Sequence, residues 1–157
     1  MLELYFFENS ICSERVLMTL AEKRINDWKP HHVHLFERQQ FDPEYLKLNP
    51  KAQVPTLVHN GEVIRESSII ADYLDDLYPE PPLKFSAPSK VAQMREWIKE
   101  SDEAGFEGVA SLSFVIVFRA KLMAMSESDR NSYWKGQTVL ERTQRQKSCV
   151  FEGLNSP

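Results

Sequence analysis

Two short stretches of this sequence carry side chains that could do chemistry. The first is Asn9-Ser10-Ile11-Cys12-Ser13-Glu14-Arg15, where two hydroxyls and a thiol lie between a β-rich segment and a helical pattern. A thiol at a helix N-terminus can have a lowered pKa and form mixed disulfides. The second is Glu66-Ser67-Ser68, directly before the helical spacing of Ile69, Ile70, Tyr73, Leu74 and Leu77. A carboxylate, a hydroxyl and open N–H groups at a helix start suit a ligand that carries both an ammonium and a carboxylate. Val54-Pro55 precedes an apolar run. Proline has no N–H for a ladder, so this pair belongs at a strand's first residue or on an edge, and X-Pro bonds are where cis peptides occur. A cis bond there would leave the Val54 N–H and C=O free to pair with an extended peptide. His32-x-His34 would place two imidazoles on one strand face, but no Cys or carboxylate completes a metal set, and no metal is expected.

The elements that must position these residues are legible in outline. Asn60-Gly61 between Thr56-Leu57-Val58 and Val63-Ile64 is a strong hairpin signal, because both turn residues tolerate positive φ. Leu2 to Phe7 reads as a buried first strand that holds Tyr5 in the core. Ser13-Glu14-Arg15 opens a helix with Val16, Leu17, Leu20 and Ala21 on one face and Glu14, Glu22 and Lys23 on the other. Trp28 to Phe36 reads as a second strand, and strand, helix, strand at this spacing predicts a right-handed parallel crossover. Phe41 to Leu48 is a short helix or turn, and Ser67 to Leu77 a helix. The expected class is an α/β domain of order βαβ-α-ββ-α over residues 1–78. A stiff Pro-rich linker follows at 79–88, and an all-helical region at 89–157. Within that region Val109 to Met125 is apolar, Ser126 caps a helix, and Val139 to Lys147 is a polar helix or a loose excursion.

Composition narrows the partners. The chain has 157 residues, 42% of them hydrophobic, which is enough for a packed core. Lys plus Arg number 19 against 23 Asp plus Glu, and the net charge of −4 argues against nucleic acid and anionic membranes. No run of about 18 apolar residues and no targeting segment is visible. Cys12 and Cys149 stand far apart in sequence, which fits a reduced, cytoplasmic setting.

Asn49-Pro50-x-x-x-Val54-Pro55, the hairpin and Glu66-Ser67 together resemble the glutathione-binding half of cytosolic glutathione S-transferases. The resemblance implies a thioredoxin-like domain in which Pro55 is cis, Val54 pairs with the cysteinyl backbone of glutathione, and Glu66 with Ser67 holds the γ-glutamyl end. Gln40 and Gln53 then lie where an amide could meet the glycyl carboxylate, although an exposed glutamine is the default for either. The loop Ser10-Ile11-Cys12-Ser13-Glu14-Arg15-Val16 is similar to that of serine-type, zeta-like transferases, which puts the thiolate-stabilising hydroxyl on Ser10. A looser match to bacterial β-etherases puts it on Ser13, and both stay open. Lowering a thiol from about 8.5 to about 6.5 takes about 2.7 kcal/mol. A hydrogen bond to a charged group supplies about 1.5 to 3 kcal/mol and a helix end about 0.3 to 1 kcal/mol.

The segments Met94 to Lys99, Leu112 to Phe114, Phe118-Arg119 and Met125-Ser126 also resemble the bacterial branch related to glutathione-dependent β-etherases. That likeness suggests an aromatic or ether electrophile as the second substrate. From the family alone comes a homodimer. Asp102 resembles the acidic residue that meets the γ-glutamyl amine from a neighbouring subunit, although a solvated helix charge is the default reading, and Arg119 within its apolar helix either lines the electrophile pocket or snorkels to the surface. The family's helical domain continues past the equivalent of Pro157. The C-terminal part is therefore expected to be truncated, with apolar surface exposed on Leu112 to Val117. The alternatives are a non-catalytic carrier of glutathione or hydrophobic ligands, and a thiol reductase acting through Cys12.

Overall fold

The computed structural model describes residues 1–134 together with 144, 146, 147, 150 and 151. Most of the 139–147 stretch, Cys149 and residues 152–157 lie outside the described residues. The chain divides into two compact units, Met1–Met94 and Arg95–Pro157.

The first unit is a four-stranded mixed sheet of order β2-β1-β3-β4. Strand β1 (Leu2–Phe6) pairs in parallel with β2 (Trp28–His32) and antiparallel with β3 (Thr56–His59), which pairs antiparallel with β4 (Glu62–Arg65). Helices α1 (Ile11–Glu22), α2 (Pro43–Leu48) and α3 (Ser67–Leu77) complete the expected βαβ-α-ββ-α order. This is the thioredoxin-like α/β fold. Side-chain alternation along β1 sends Leu2, Leu4 and Phe6 into a core shared with Val16 and Leu20 of α1, Leu57 of β3, and Ile70 and Leu74 of α3. Tyr5 points to the other face, half-buried against Tyr45 of α2 with ring centroids 5.8 Å apart, so the expectation that it sits in the core is corrected.

Local chemistry explains the boundaries. Asn60 and Gly61 have φ of 51° and 89°, as the two-residue turn requires. Pro30 is tolerated in β2 because that strand is an edge. The sequence placed the end of β2 at Phe36, but the strand stops at His32. Its neighbour β1 ends at Phe6, and the Gln39 side chain captures the His34 N–H at 2.9 Å, diverting the chain into two 3₁₀ turns, Leu35–Glu37 and Gln39–Phe41. Asp42 then caps α2 by accepting from the Glu44 N–H at 2.8 Å, with Pro43 at the first helical position.

Lys23 departs furthest from its sequence reading. It belongs to no solvated face: it is buried at the C-cap of α1, where its ammonium donates to the Asp75 carboxylate and to the Pro81 carbonyl. Asp75 also accepts from the backbone N–H groups of Leu83 at 2.9 Å and Lys84 at 3.2 Å. The Pro-rich segment is thus strapped to α3 by side chains as well as stiffened by its prolines.

Helix α4 (Pro88–Glu100) starts at the last of those prolines. The second unit contains π-helical turns at Ser101–Gly105 and Phe114–Phe118 and the helices α5 (Phe106–Ser113), α6 (Arg119–Ala124) and α7 (Glu127–Trp134). Ser126 caps α7, accepting from the Asp129 N–H at 3.1 Å while its own hydroxyl donates to Asp129 Oδ2 at 2.7 Å. Phe114, Phe118, Leu122, Tyr133 and Trp134 are buried, whereas Leu112, Ile116 and Val117 are exposed. No helix among the described residues is long and apolar enough to cross a membrane.

Candidate functional site

The strand register brings the chemically interesting residues to one end of the sheet. Tyr5 lies opposite Thr56, and Thr56 opposite Arg65. The loop that leaves β1, the Val54-Pro55 segment that enters β3 and the Glu66-Ser67 segment that leaves β4 therefore share an edge. Helices α1 and α3 both begin there.

Ser10 is the N-cap of α1, half-buried, with its Oγ accepting from the Ser13 N–H at 3.4 Å. The helix thus starts at Ile11 rather than at Ser13, because Ser10 already supplies the capping oxygen. Ser13 is fully buried, and its Oγ accepts from the Phe7 N–H at 3.2 Å. The two hydroxyls left open by the sequence are thus separated by environment: Ser10 lies partly open in the loop, and Ser13 is turned into the domain. Cys12 is half-buried in the first turn. Tyr5, stacked on His31 at 4.2 Å, has its phenol pushed up by burial and then by the charge of Glu3.

The Val54–Pro55 bond is cis. Among the described residues the Val54 backbone N–H and C=O have no hydrogen-bond partner. Gln53 is half-buried, and its carbonyl accepts from Tyr45 Oη at 2.6 Å and from Asn49 Nδ2 at 2.8 Å. Asn49 Nδ2 also reaches Thr56 Oγ1 at 3.0 Å, and the Lys51 N–H donates to Asn49 Oδ1 at 3.1 Å. This buried brace holds the segment before β3, and burial pushes the Tyr45 phenol up to about 12 despite the opposing hydrogen bond with Thr56. Gln40 is buried with its Oε1 unpaired among the described residues, which corrects the expectation of an exposed glutamine.

At the start of α3, Glu66 adopts φ 66° and ψ 118°, an unusual conformation for a non-glycine residue and one that persists only where the surroundings impose it. Its carboxylate makes no cap hydrogen bond and is met by Lys51 Nζ at 2.6 Å. Ser67 is buried, and its Oγ accepts from Arg15 Nη1 of α1 at 3.2 Å. The Ile70 N–H bonds the Glu66 carbonyl, so the N–H groups of Ser67, Ser68 and Ile69 have no intrahelical acceptor. An acceptor-only carboxylate thus stands beside a set of donors, a pairing complementary to an ammonium and a carboxylate on one carbon.

Other candidates fall elsewhere. Asp102 is exposed in the first π-helical turn of the second unit, and Arg119 Nε donates to the Val150 carbonyl at 2.8 Å. His32 does find a carboxylate, Glu8, at 2.5 Å, but no group of three or more metal-ligating side chains exists among the described residues. Sequence reasoning missed the roles of Arg15, Asn49 and Lys51. Arg15 and Lys51 bind partners 52 and 15 residues away, and no local pattern announces such contacts.

Comparison with known proteins agrees with this architecture. The family model described as "Glutathione S-transferase, N-terminal domain" matches residues 4–82. The chain belongs to the glutathione S-transferase family. Protein LigF of Sphingobium sp. SYK-6 is 34% identical over 130 residues, covering 82% of this chain and 50% of LigF. The crystal structure of that protein, named there a beta-etherase, superposes with a TM-score of 0.84 at 30% identity, over 97% of this chain and 63% of the other. Maleylacetoacetate isomerase of Dictyostelium discoideum is 32% identical over 94% of this chain and 69% of its own length. Glutathione S-transferase Z1 of Arabidopsis thaliana is 44% identical over 82 residues, 52% of this chain and 37% of that protein. The chain spans about half the length of LigF, and the similarity to Z1 is confined to a stretch about as long as the first unit.

Proposed function

We propose that this protein binds glutathione at the sheet edge and uses its thiolate to attack an electrophilic carbon, as a transferase of the serine type. The observation that carries the reading is the start of α3, where the acceptor-only Glu66 adjoins the free N–H groups and hydroxyl of Ser67, opposite the unpaired Val54 backbone. In this reading Val54 pairs with the cysteinyl backbone, Glu66 takes the glutamyl ammonium, and Ser67 with the helix N–H groups takes the glutamyl carboxylate. The half-buried Gln53 is then the amide left for the glycyl end, and Gln40 is buried. The cysteinyl sulfur then meets the first turn of α1, where Ser10 can donate its hydroxyl proton to the thiolate while its lone pair serves the Ser13 N–H.

The name of LigF as a beta-etherase favours an ether as the electrophile, and we take it to be an aryl ether from the resemblance of the helical segments. The thiol proton leaves to solvent, the thiolate forms a C–S bond, and the C–O bond breaks with its electron pair on oxygen. The phenolate so released is a good leaving group and takes a proton from solvent. Ser10→Ala should lower kcat for glutathione-dependent cleavage of a β-aryl ether about 10- to 100-fold, with the Kd for glutathione nearly unchanged. Unchanged turnover in that variant would remove Ser10 from the mechanism and return the question to Ser13 or Cys12.

A further inference from the structure

Arg15 stands on the second turn of α1 and reaches across to the first residue of α3, where Nη1 donates to Ser67 Oγ at 3.2 Å. The contact fixes more than the distance between two helices. A serine hydroxyl has one proton and two acceptor lone pairs, and the guanidinium, which can only donate, occupies one of the acceptor positions. The proton must therefore go elsewhere. In a helix its usual destination is the carbonyl four residues back, as in the bonds from Thr19 to the Arg15 carbonyl and from Ser113 to the Val109 carbonyl, both 2.8 Å. Ser67 is the first residue of its helix, and the residue four positions earlier, Val63, lies in β4. That route is closed, and among the described residues no other acceptor for the Ser67 hydroxyl is present.

We propose that Arg15 is a positioning residue. By filling the acceptor side of Ser67 it commits the hydroxyl to donate into the site, and it thereby makes this end selective for a γ-glutamyl ligand that retains its α-carboxylate. The inference rests on the glutathione reading above. Glu66 next door accepts only, so the two neighbours discriminate the two charges of the glutamyl end: the ammonium can be held at Glu66 and the carboxylate at Ser67.

The test compares dissociation constants for glutathione and for an analogue in which 4-aminobutyrate replaces the glutamyl residue, so that only the α-carboxylate is missing. Wild type should prefer glutathione. Arg15→Ala should weaken glutathione about tenfold while changing the analogue less than about twofold, and should raise KM with kcat nearly unchanged. Arg15→Lys, which keeps a charged donor, should restore part of the preference. Ser67→Ala, which leaves the Arg15 helix untouched, should lose the preference by a similar factor, and adding Arg15→Gln to it should change the preference no further. Equal weakening of both ligands in Arg15→Ala, or a preference kept intact in Ser67→Ala, overturns the assignment and leaves Arg15 a structural tie. Failure of wild type to bind glutathione at all overturns the site reading itself, an outcome distinct from the other two.

Discussion

Helices α1 and α3 are tied together twice, and the two ties are built differently. Arg15 meets Ser67 at the site end and Lys23 meets Asp75 at the far end. Each helix advances eight residues between the ties, about 12 Å of rise, so the helices run parallel. At the far end every strong group is used. The Lys23 ammonium is shared between Asp75 and the Pro81 carbonyl, and the Asp75 oxygens also take the Leu83 and Lys84 N–H groups. At the site end the tie is half-open, the first N–H groups of α3 lack acceptors, and the Ser67 hydroxyl keeps its proton. Saturation of polar groups marks the end that holds the fold together, and an unsatisfied surplus of donors marks the end that can hold a ligand.

Breaking the far tie should have the largest effect on stability. Lys23→Met removes the direct cation of the buried Asp75, leaving only the Lys84 ammonium at 3.9 Å, and should cost about 3 kcal/mol in chemical unfolding. Arg15→Ala removes the half-buried hydrogen bond to Ser67, worth about 1 kcal/mol, and should cost less than the loss of Lys23. A reversed order would erase the contrast between the two ends.

Acid should weaken the far tie selectively. Burial by itself would raise the Asp75 carboxyl, but the Lys23 hydrogen bond, the Leu83 N–H and the charges of Lys23 and Lys84 outweigh it and hold the group below its ordinary value. Because the folded value is depressed, the unfolded chain takes up the proton first as pH falls. The contribution is therefore full above about pH 4 and is lost as pH drops through the folded value. The gap in Tm between wild type and Asp75→Asn should be wide at neutral pH and should narrow below about pH 4. A gap independent of pH would show that the charge on Asp75 does not matter.

The smallest effect belongs to the open end. Lys51 and Glu66 form an ion pair in which both side chains are about half exposed or more, 62% and 48%. Such pairs contribute about 0 to 1 kcal/mol. The Lys51 ammonium also stands where a ligand ammonium would go, so Lys51→Ala should tighten glutathione binding by less than about threefold, an increment that shrinks in high salt. Weakened binding in that variant would mean that Lys51 assists the ligand rather than competing with it.

Much of the first unit was legible in the sequence because its signals are local. The turn at Asn60-Gly61, the cis-capable Val54-Pro55, the run from Ser67 to Leu77 and the core alternation of Leu2, Leu4 and Phe6 each depend on neighbours within a few residues. What the sequence concealed depends on partners far along the chain. Lys23 reads as a surface cation until Asp75 arrives from 52 residues away, and β2 reads as nine residues until β1 runs out of backbone to pair with it. Gln40 is hidden for the same reason, since its burial is set by how the 3₁₀ turns pack. In the second unit, apolar helices of similar spacing do not announce which face will be covered: Phe114 is buried while Ile116, two residues on, is 71% exposed.

The central claim is that the start of α1 activates the thiol of a ligand held at the start of α3. It is tested most directly by titrating the thiol of bound glutathione by thiolate absorbance, in wild type, Ser10→Ala and Ser13→Ala. The account predicts a bound pKa about 2 units below the ordinary thiol value of about 8.5, raised by about 1 unit or more in Ser10→Ala, with Ser13→Ala close to wild type once folded. Glutathione bound with its thiol unshifted, or a shift abolished by Ser13→Ala and untouched by Ser10→Ala, would contradict it.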